Sequence, residues 1–174
     1  KILIFVQALF REVNMNWQEV CENPNLKNLP FKIELNQWGQ ILMSPAKVYH
    51  SRYQGKIIKY LNTLIAEGEA FPECAIKTKK GTKVPDVVWA SPELCKKLDH
   101  EDESPLAPEI CIEVLSPNNP TEEMEEKMLL YFEEGAKEVW FCDEHGKMNF
   151  FTPQGNSIQS DFVPDFPSLI KIYD

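Results

Sequence analysis

Two carboxylates and a lysine, each set among apolar residues, are the side chains of this sequence best suited by type and place to do chemistry. Glu113 lies in Ile110-Cys111-Ile112-Glu113-Val114-Leu115, a β-branched run held between Pro108 and Pro117. Such a run reads as a buried central strand, which proline can bound but not enter. An ionised group is rarely left there unless a metal, a cation or hydrogen bonds compensate it. Asp86 follows Pro85 and heads a second apolar run, Val87-Val88-Trp89. If the two strands are neighbours, Asp86 and Glu113 meet at one edge of the sheet. Two carboxylates meeting in a partly buried place repel each other and raise each other's pKa unless a cation sits between them. Hard oxygen donors of this kind suit Mg²⁺ or Mn²⁺.

Lys127 is the third member. It falls on a helical stripe with Met124, Met128 and Tyr131, and Lys127 and Tyr131, four apart, lie side by side. A lysine reaching the carboxylates could orient or help deprotonate a metal-bound water, or stabilise charge on an attacked phosphate. The set amounts to an Asp–Glu–Lys site for phosphodiester hydrolysis. The plainer alternative is a pair of strand-end carboxylates and a lysine that snorkels to water.

The elements that must position these groups follow from local pattern. Asn16 caps a short helix over 17–21. Phe31-Lys32-Ile33-Glu34-Leu35 alternates with period two and turns through Asn36 to Gly39 into Gln40-Ile41-Leu42-Met43, a hairpin signal. Ser44-Pro45 has the form of a helix start. The helix expected over 46–67, stopping at Gly68, buries Ile57, Ile58, Leu61, Leu64 and Ile65. Extended backwards, that stripe reaches Gln54 and His50, candidates for an accessory role or simply a half-exposed helix end.

Strands are expected over 74–79 and 84–90, joined at Lys80-Gly81-Thr82. Lys77, Lys79, Lys80 and Lys83 make this hairpin the densest basic stretch. It reads either as a phosphate-contacting ribbon or as an edge whose lysines discourage sheet-to-sheet pairing. A short helix over 91–98 follows, then an acidic loop, the central strand, and a helix expected to start with Asn119 as cap and Pro120 at its first position. That helix ends near Glu134 and Gly135. Strands over 137–142 and 147–152 and a last one near 169–173 complete the pattern. Glu109, at the start of the central strand, is expected at the sheet edge and exposed.

The chain has 174 residues, 43% hydrophobic and 26% charged, the profile of one folded domain over 1–174 with a real core. A net charge of -9 argues against diffuse binding to nucleic acid, though not against a local basic patch. Five scattered cysteines with no metal-like spacing suggest reduced thiols in a cytoplasmic protein. The apolar stretch 1–10 is too short to span a bilayer and is expected to pack on the domain or on a partner subunit, so no membrane is implied.

One ordered set of residues is more specific than any part of it. It runs through Ile33-Glu34-Leu35 with Gly39, Met43-Ser44-Pro45 with His50, and Pro85-Asp86-Val87. It continues with Glu113-Val114-Leu115-Ser116-Pro117, Lys127 with Tyr131, and Gly135-Ala136-Lys137-Glu138-Val139-Trp140 with Asp143. In this set the chain resembles, from about Trp17 to its end, the Uma2 family, once a domain of unknown function and abundant in cyanobacteria. Endonuclease activity is ascribed to that family within the PD-(D/E)xK, restriction-endonuclease-like superfamily.

The resemblance implies an α/β (α+β) fold with a mixed central sheet flanked by helices and an added N-terminal hairpin. It implies that Asp86 is the Asp of the PD motif and Glu113 the acidic residue of (D/E)xK, together holding Mg²⁺ or Mn²⁺. It also implies DNA as substrate and a homodimer, since cutting two strands needs two sites. One departure stands out. The motif's lysine falls at Leu115, and Lys127, from the following helix, is the residue placed to supply it. Because fold alone does not establish function, two other readings stay open: a nuclease-fold module that binds nucleic acid or protein without cutting, and an acidic dimeric regulatory protein.

Overall fold

Alternating apolar strands and two amphipathic helices build this chain around one mixed sheet. A computed structural model describes residues 14–117 and 119–172, so the expectation for 1–10 lies outside the described residues. The elements are α1 (Trp17–Glu22), β1 (Phe31–Leu35), β2 (Ile41–Pro45), α2 (Val48–Leu64), β3 (Glu69–Pro72), β4 (Ile76–Thr78) and β5 (Gly81–Lys83). They continue with β6 (Val87–Ala90), α3 (Pro92–Leu98), β7 (Ile110–Val114), α4 (Thr121–Glu133), β8 (Glu138–Cys142), β9 (Met148–Thr152) and β10 (Gly155–Ser157).

The central sheet has the order β10-β9-β8-β7-β6-β3. Only β7 and β8 in it run parallel, and α4 makes the crossover between them. This is the mixed sheet with flanking helices that the family resemblance implied. Both faces are covered, so β7 is buried along its whole length. Ile110, Ile112 and Val114 pack with Tyr53, Ile57 and Leu61 of α2, while Cys111 packs with Met124 and Tyr131 of α4 on the other face. Glu113 shares the α4 side by the strand's two-residue period.

β1 and β2 form a separate antiparallel hairpin with its own small core, in which Leu35 packs with Val20 and Leu26. It is the added N-terminal hairpin. Gly39 turns it with φ +70. The end of β1 is brought against the β4–β5 hairpin at Gly81, whose φ is +86. A Cβ there would lie 2.3 Å from the Asn36 carbonyl oxygen, so only glycine permits this approach.

Several local expectations change in the structure. Ser44 and Pro45 belong to β2, paired with Lys32 and Phe31, and α2 starts later, at Val48, with Lys47 as an N-cap whose side chain does not cap the helix. Strand pairing across the hairpin has overridden the Ser-Pro start signal. Leu64 is 40% exposed at the end of α2, and Tyr53 takes a buried place on the stripe instead. Pro120, not Asn119, is the N-cap of α4, because the Asn119 side chain is used to accept a 2.6 Å bond from the Ser116 backbone N–H. The short strand β3 pairs with β6 at the sheet edge and has no clear pattern in sequence. Near the C-terminus, Leu169 forms only an isolated bridge to Lys147 among the described residues.

Glu109 is half-buried, not exposed at an edge. Its carboxylate accepts from Ser91, at 3.0 Å from the backbone N–H and 2.6 Å from the hydroxyl, tying the start of β7 to the start of α3. All five cysteines are free, with Cys74, Cys111 and Cys142 buried. Burial pushes the Cys74 and Cys142 thiols up to about 12. No helix among the described residues is long and apolar enough to cross a membrane.

Candidate metal centre

Antiparallel pairing of β6 and β7 sets Val87 against Ile112, so one step further along Asp86 comes opposite Glu113. Both are almost fully buried, at 1% and 3% exposure. Each carboxylate has one oxygen tied down by protein donors. Asp86 Oδ2 accepts from the Val114 backbone N–H at 2.7 Å and lies 3.2 Å from His50 Nε2. Glu113 Oε1 accepts from the Tyr131 hydroxyl at 2.6 Å and from Lys127 Nζ at 3.3 Å. The other oxygen of each turns to a single cation. Lys32 Nζ stands 2.7 Å from Asp86 Oδ1 and 3.5 Å from Glu113 Oε2.

The remaining partners close the cluster. Lys127 also donates to Glu34 Oε1 at 2.7 Å, and that oxygen accepts from the Val84 backbone N–H at 2.9 Å. His50 Nε2 lies 2.7 Å from the Val114 carbonyl oxygen, so it carries the proton and donates there. Asp86, Glu113, Lys127, His50 and Tyr131 are thus brought together, and Gln54 lines the same cleft. The cleft has a volume of about 570 Å³, and Lys32, Lys47, Ser116 and Asn119 also line it.

Charge and burial compete at every position. Burial would lift the Asp86 carboxyl, but His50 and Lys32 outweigh it and hold it well below the carboxylate range. Glu113 goes the other way. Its complete burial, with Asp86 and Glu34 nearby, outweighs Lys127 and Lys32 and holds its carboxyl above the ordinary value. Burial opposes charge on Lys127, Lys32 and His50, yet the carboxylates prevail and raise all three. Lys127 and Lys32 therefore stand as ammoniums. Glu34 is lowered against its burial by Lys127 and Lys32.

The residues present fit a divalent cation. Two hard oxygens, one from each acid, already converge on a position where a positive charge sits. Among the described residues no three His, Cys, Asp or Glu side chains gather as a ligand set. An ion held here would take two protein carboxylates and leave its other positions to water and substrate, as Mg²⁺ commonly does.

Lys32 has no assignment from the sequence, and Glu34 carries no role there. Both project from β1 with the two-residue period that the hairpin pattern contains. Nothing local says that the hairpin folds over Asp86. The basic stretch is placed differently. Lys77 is exposed, Lys79 pairs with Glu133 at 2.6 Å, and Lys80 pairs with Glu126, both acids on α4. Lys83 is buried and donates to the Leu35 carbonyl at 3.2 Å.

The Uma2 family model, described as "Putative restriction endonuclease", matches residues 17–171. A crystal structure of a "putative nuclease belonging to DUF820" from Anabaena variabilis ATCC 29413 superposes on this chain with a TM-score of 0.68 at 18% identity. The superposition covers 91% of this chain and 95% of that one, and at such identity the likeness is one of fold. No curated protein matches the chain.

Proposed function

The chain belongs to the Uma2 family, and from that premise and the geometry of the cleft we propose that it is a DNA endonuclease dependent on Mg²⁺ or Mn²⁺. One observation carries this reading: the untied oxygens of Asp86 and Glu113 converge on a single cation position beside the buried ammonium of Lys127. Asp86 and Glu113 would hold the ion. When bound, it supplies Lewis-acid polarisation and positive charge to a phosphodiester.

The chain's own groups have distinct parts in this reading. Tyr131 and Lys127 fix Glu113 through Oε1, and Val114 and His50 fix Asp86 through Oδ2, so the two acids themselves stay in place whichever cation their opposite oxygens hold. Lys127 is raised and doubly paired, which suits it to stabilise negative charge on an attacked phosphate, not to accept a proton. The (D/E)xK lysine that position 115 lacks is thereby supplied from α4. His50 and Gln54 line the same cleft. Lys77, exposed on the β4–β5 hairpin, is the candidate for the DNA backbone, with Lys79 and Lys80 available only if they leave Glu133 and Glu126; Lys83, buried against the Leu35 carbonyl, is not one. The whole chain would act as one domain in the cytoplasm, two copies pairing to reach both strands.

A second reading has its own observation. Lys79 and Lys80 are already neutralised by Glu133 and Glu126, and the chain carries net charge -9. Those features suit a nuclease-fold module that binds without cutting, or an acidic regulatory dimer. Supercoiled and branched DNA incubated with the purified protein and Mg²⁺ or Mn²⁺ separates the readings. Cleavage by the wild type that disappears in Asp86→Asn and Glu113→Gln is the expected result. DNA binding without cleavage in every protein would establish the module, and equal cleavage by Asp86→Asn would place the active site elsewhere.

A further inference from the structure

Lys32 differs from every other member of the cluster. It comes, like Glu34, from β1, and it alone places its charge on the two carboxylate oxygens that no other group holds among the described residues. We propose that Lys32 is a displaceable internal counter-ion. It occupies the divalent-ion position in the metal-free protein, swings into the cleft when the ion binds, and so weakens and sets the protein's affinity for the ion. The proposal rests on the reading of Asp86 and Glu113 as ion ligands.

Charge count favours exchange over addition. In the hydrogen-bonded cluster, three carboxylates (Asp86, Glu113 and Glu34) face two ammoniums (Lys32 and Lys127), so these five groups sum to one negative charge. A divalent ion added beside both ammoniums would make the cluster positive and force two cations onto the same pair of oxygens. Exchanged for Lys32, it leaves the cluster neutral. Like charges held close in a buried place repel strongly, so exchange is the lower-energy route.

The two lysines are not equally free to leave. Lys127 has a side chain 7% exposed and is bonded to both Glu34 and Glu113. The Lys32 side chain is 17% exposed, lines the open cleft, and hydrogen-bonds only Asp86 among the described residues. Lysine also suits a removable plug. Its ammonium is a compact point charge on a flexible stem, without the planar fork that would lock an arginine onto a carboxylate. Once displaced, the ammonium remains within the cleft wall, available to an anionic substrate.

Mn²⁺ titration of chelator-stripped protein, read by calorimetry and by electron paramagnetic resonance, tests this without any cleavage assay. Lys32→Gln is expected to bind Mn²⁺ at least tenfold more tightly than wild type, about 1.4 kcal/mol. Lys96→Met, an exposed lysine on α3, is expected to leave the affinity unchanged. In wild-type protein with isotope-labelled, dimethylated lysines, Mg²⁺ is expected to shift the Lys32 methyl signal, a readout that survives if the variant does not fold. Equal or weaker Mn²⁺ binding by Lys32→Gln, with binding by wild type still abolished in Asp86→Asn, would overturn the counter-ion role and leave the metal centre standing. A Lys32 signal unmoved by saturating Mg²⁺ would do the same. Absence of Mn²⁺ binding in wild type and Lys32→Gln alike would overturn the metal centre itself.

Discussion

Replacing Lys127 by methionine isolates the energetic demand of the buried cluster. The side chains of Lys127, Glu34 and Glu113 are 7%, 8% and 4% exposed, so the ammonium is the near partner of two carboxylates that water barely reaches. Methionine keeps most of the volume of the stem and removes the charge. Breaking a buried pair from one side costs about 3–5 kcal/mol, because a charge is left uncompensated, whereas a surface pair costs about 0–1. For a chain of this size about 2–4 °C of melting temperature accompanies each kcal/mol, giving a fall of roughly 6–20 °C.

Urea denaturation in the presence of chelator measures the loss, with the midpoint expected to move and the slope to stay constant. Lys127→Met combined with Glu34→Gln should recover a substantial part, since the amide oxygen can still accept from Val84. The deficit should also depend on pH in a defined direction. Glu113 is held above its ordinary 4.5, so the stability linked to its protonation is fully present below 4.5 and is lost as pH rises through the higher folded value. Lys127 is the main group that lowers Glu113, so Lys127→Met raises that carboxyl further and gains more than wild type from protonation, and the gap between the two should narrow as pH falls from 7. A loss under about 1 kcal/mol at pH 7, unchanged by the Glu34 substitution, would refute the claim that these groups form a buried, mutually compensating cluster.

Two further outcomes are expected. In metal-free protein the His50–Asp86 contact should stabilise most below His50's ordinary 6.5 and fade as pH rises through its raised value, so the melting-temperature gap between wild type and His50→Gln should be larger at pH 6 than at pH 9. A pH-independent gap would show that the imidazole acts only by packing. Away from the cleft, buried Glu138 accepts from Trp140 Nε1 at 2.6 Å, Ser160 Oγ at 2.7 Å and the backbone N–H groups of Asp161 at 2.6 Å and Phe162 at 3.1 Å. Glu138→Ala should cost at least about 3 kcal/mol in urea denaturation by orphaning these donors, while Mn²⁺ binding by the folded fraction stays as in wild type.

Local pattern carries β6 to β9, apolar runs bounded by prolines and turns, but not the pairing of the strands expected over 74–79 and 84–90: 76–78 pairs with 81–83, and 87–90 joins the central sheet between β3 and β7. Asp86 and Glu113 stand out because a carboxylate in an apolar run has to be compensated. Lys127 and Tyr131 are legible from helical spacing. Lys32 is not. In Phe31-Lys32-Ile33-Glu34-Leu35 the polar pair reads as the wet side of a hairpin, and its partner Asp86 lies far along the chain with no local trace. Glu109 misleads in the opposite sense, since a strand-end glutamate reads as solvated until the cap of α3 is seen to bind it. The Ser-Pro signal at Ser44 and Pro45 yields to the long-range pairing of β2 with β1, a case of tertiary structure deciding between two acceptable local forms.

The β1–β2 hairpin is hydrogen-bonded to itself and not to the central sheet, and it packs its own residues around Val20, Leu26 and Leu35. Units of this kind open at lower free energy than the sheet that carries the main core. Lys32 and Glu34 ride on that unit, while Asp86, Glu113 and Lys127 ride on the sheet and its crossover helix. The anionic pair and the cation between its oxygens thus belong to different sheets of the molecule. Opening of the hairpin alone would bare two buried carboxylates to the cations of the surroundings and leave intact the sheet that fixes the acids.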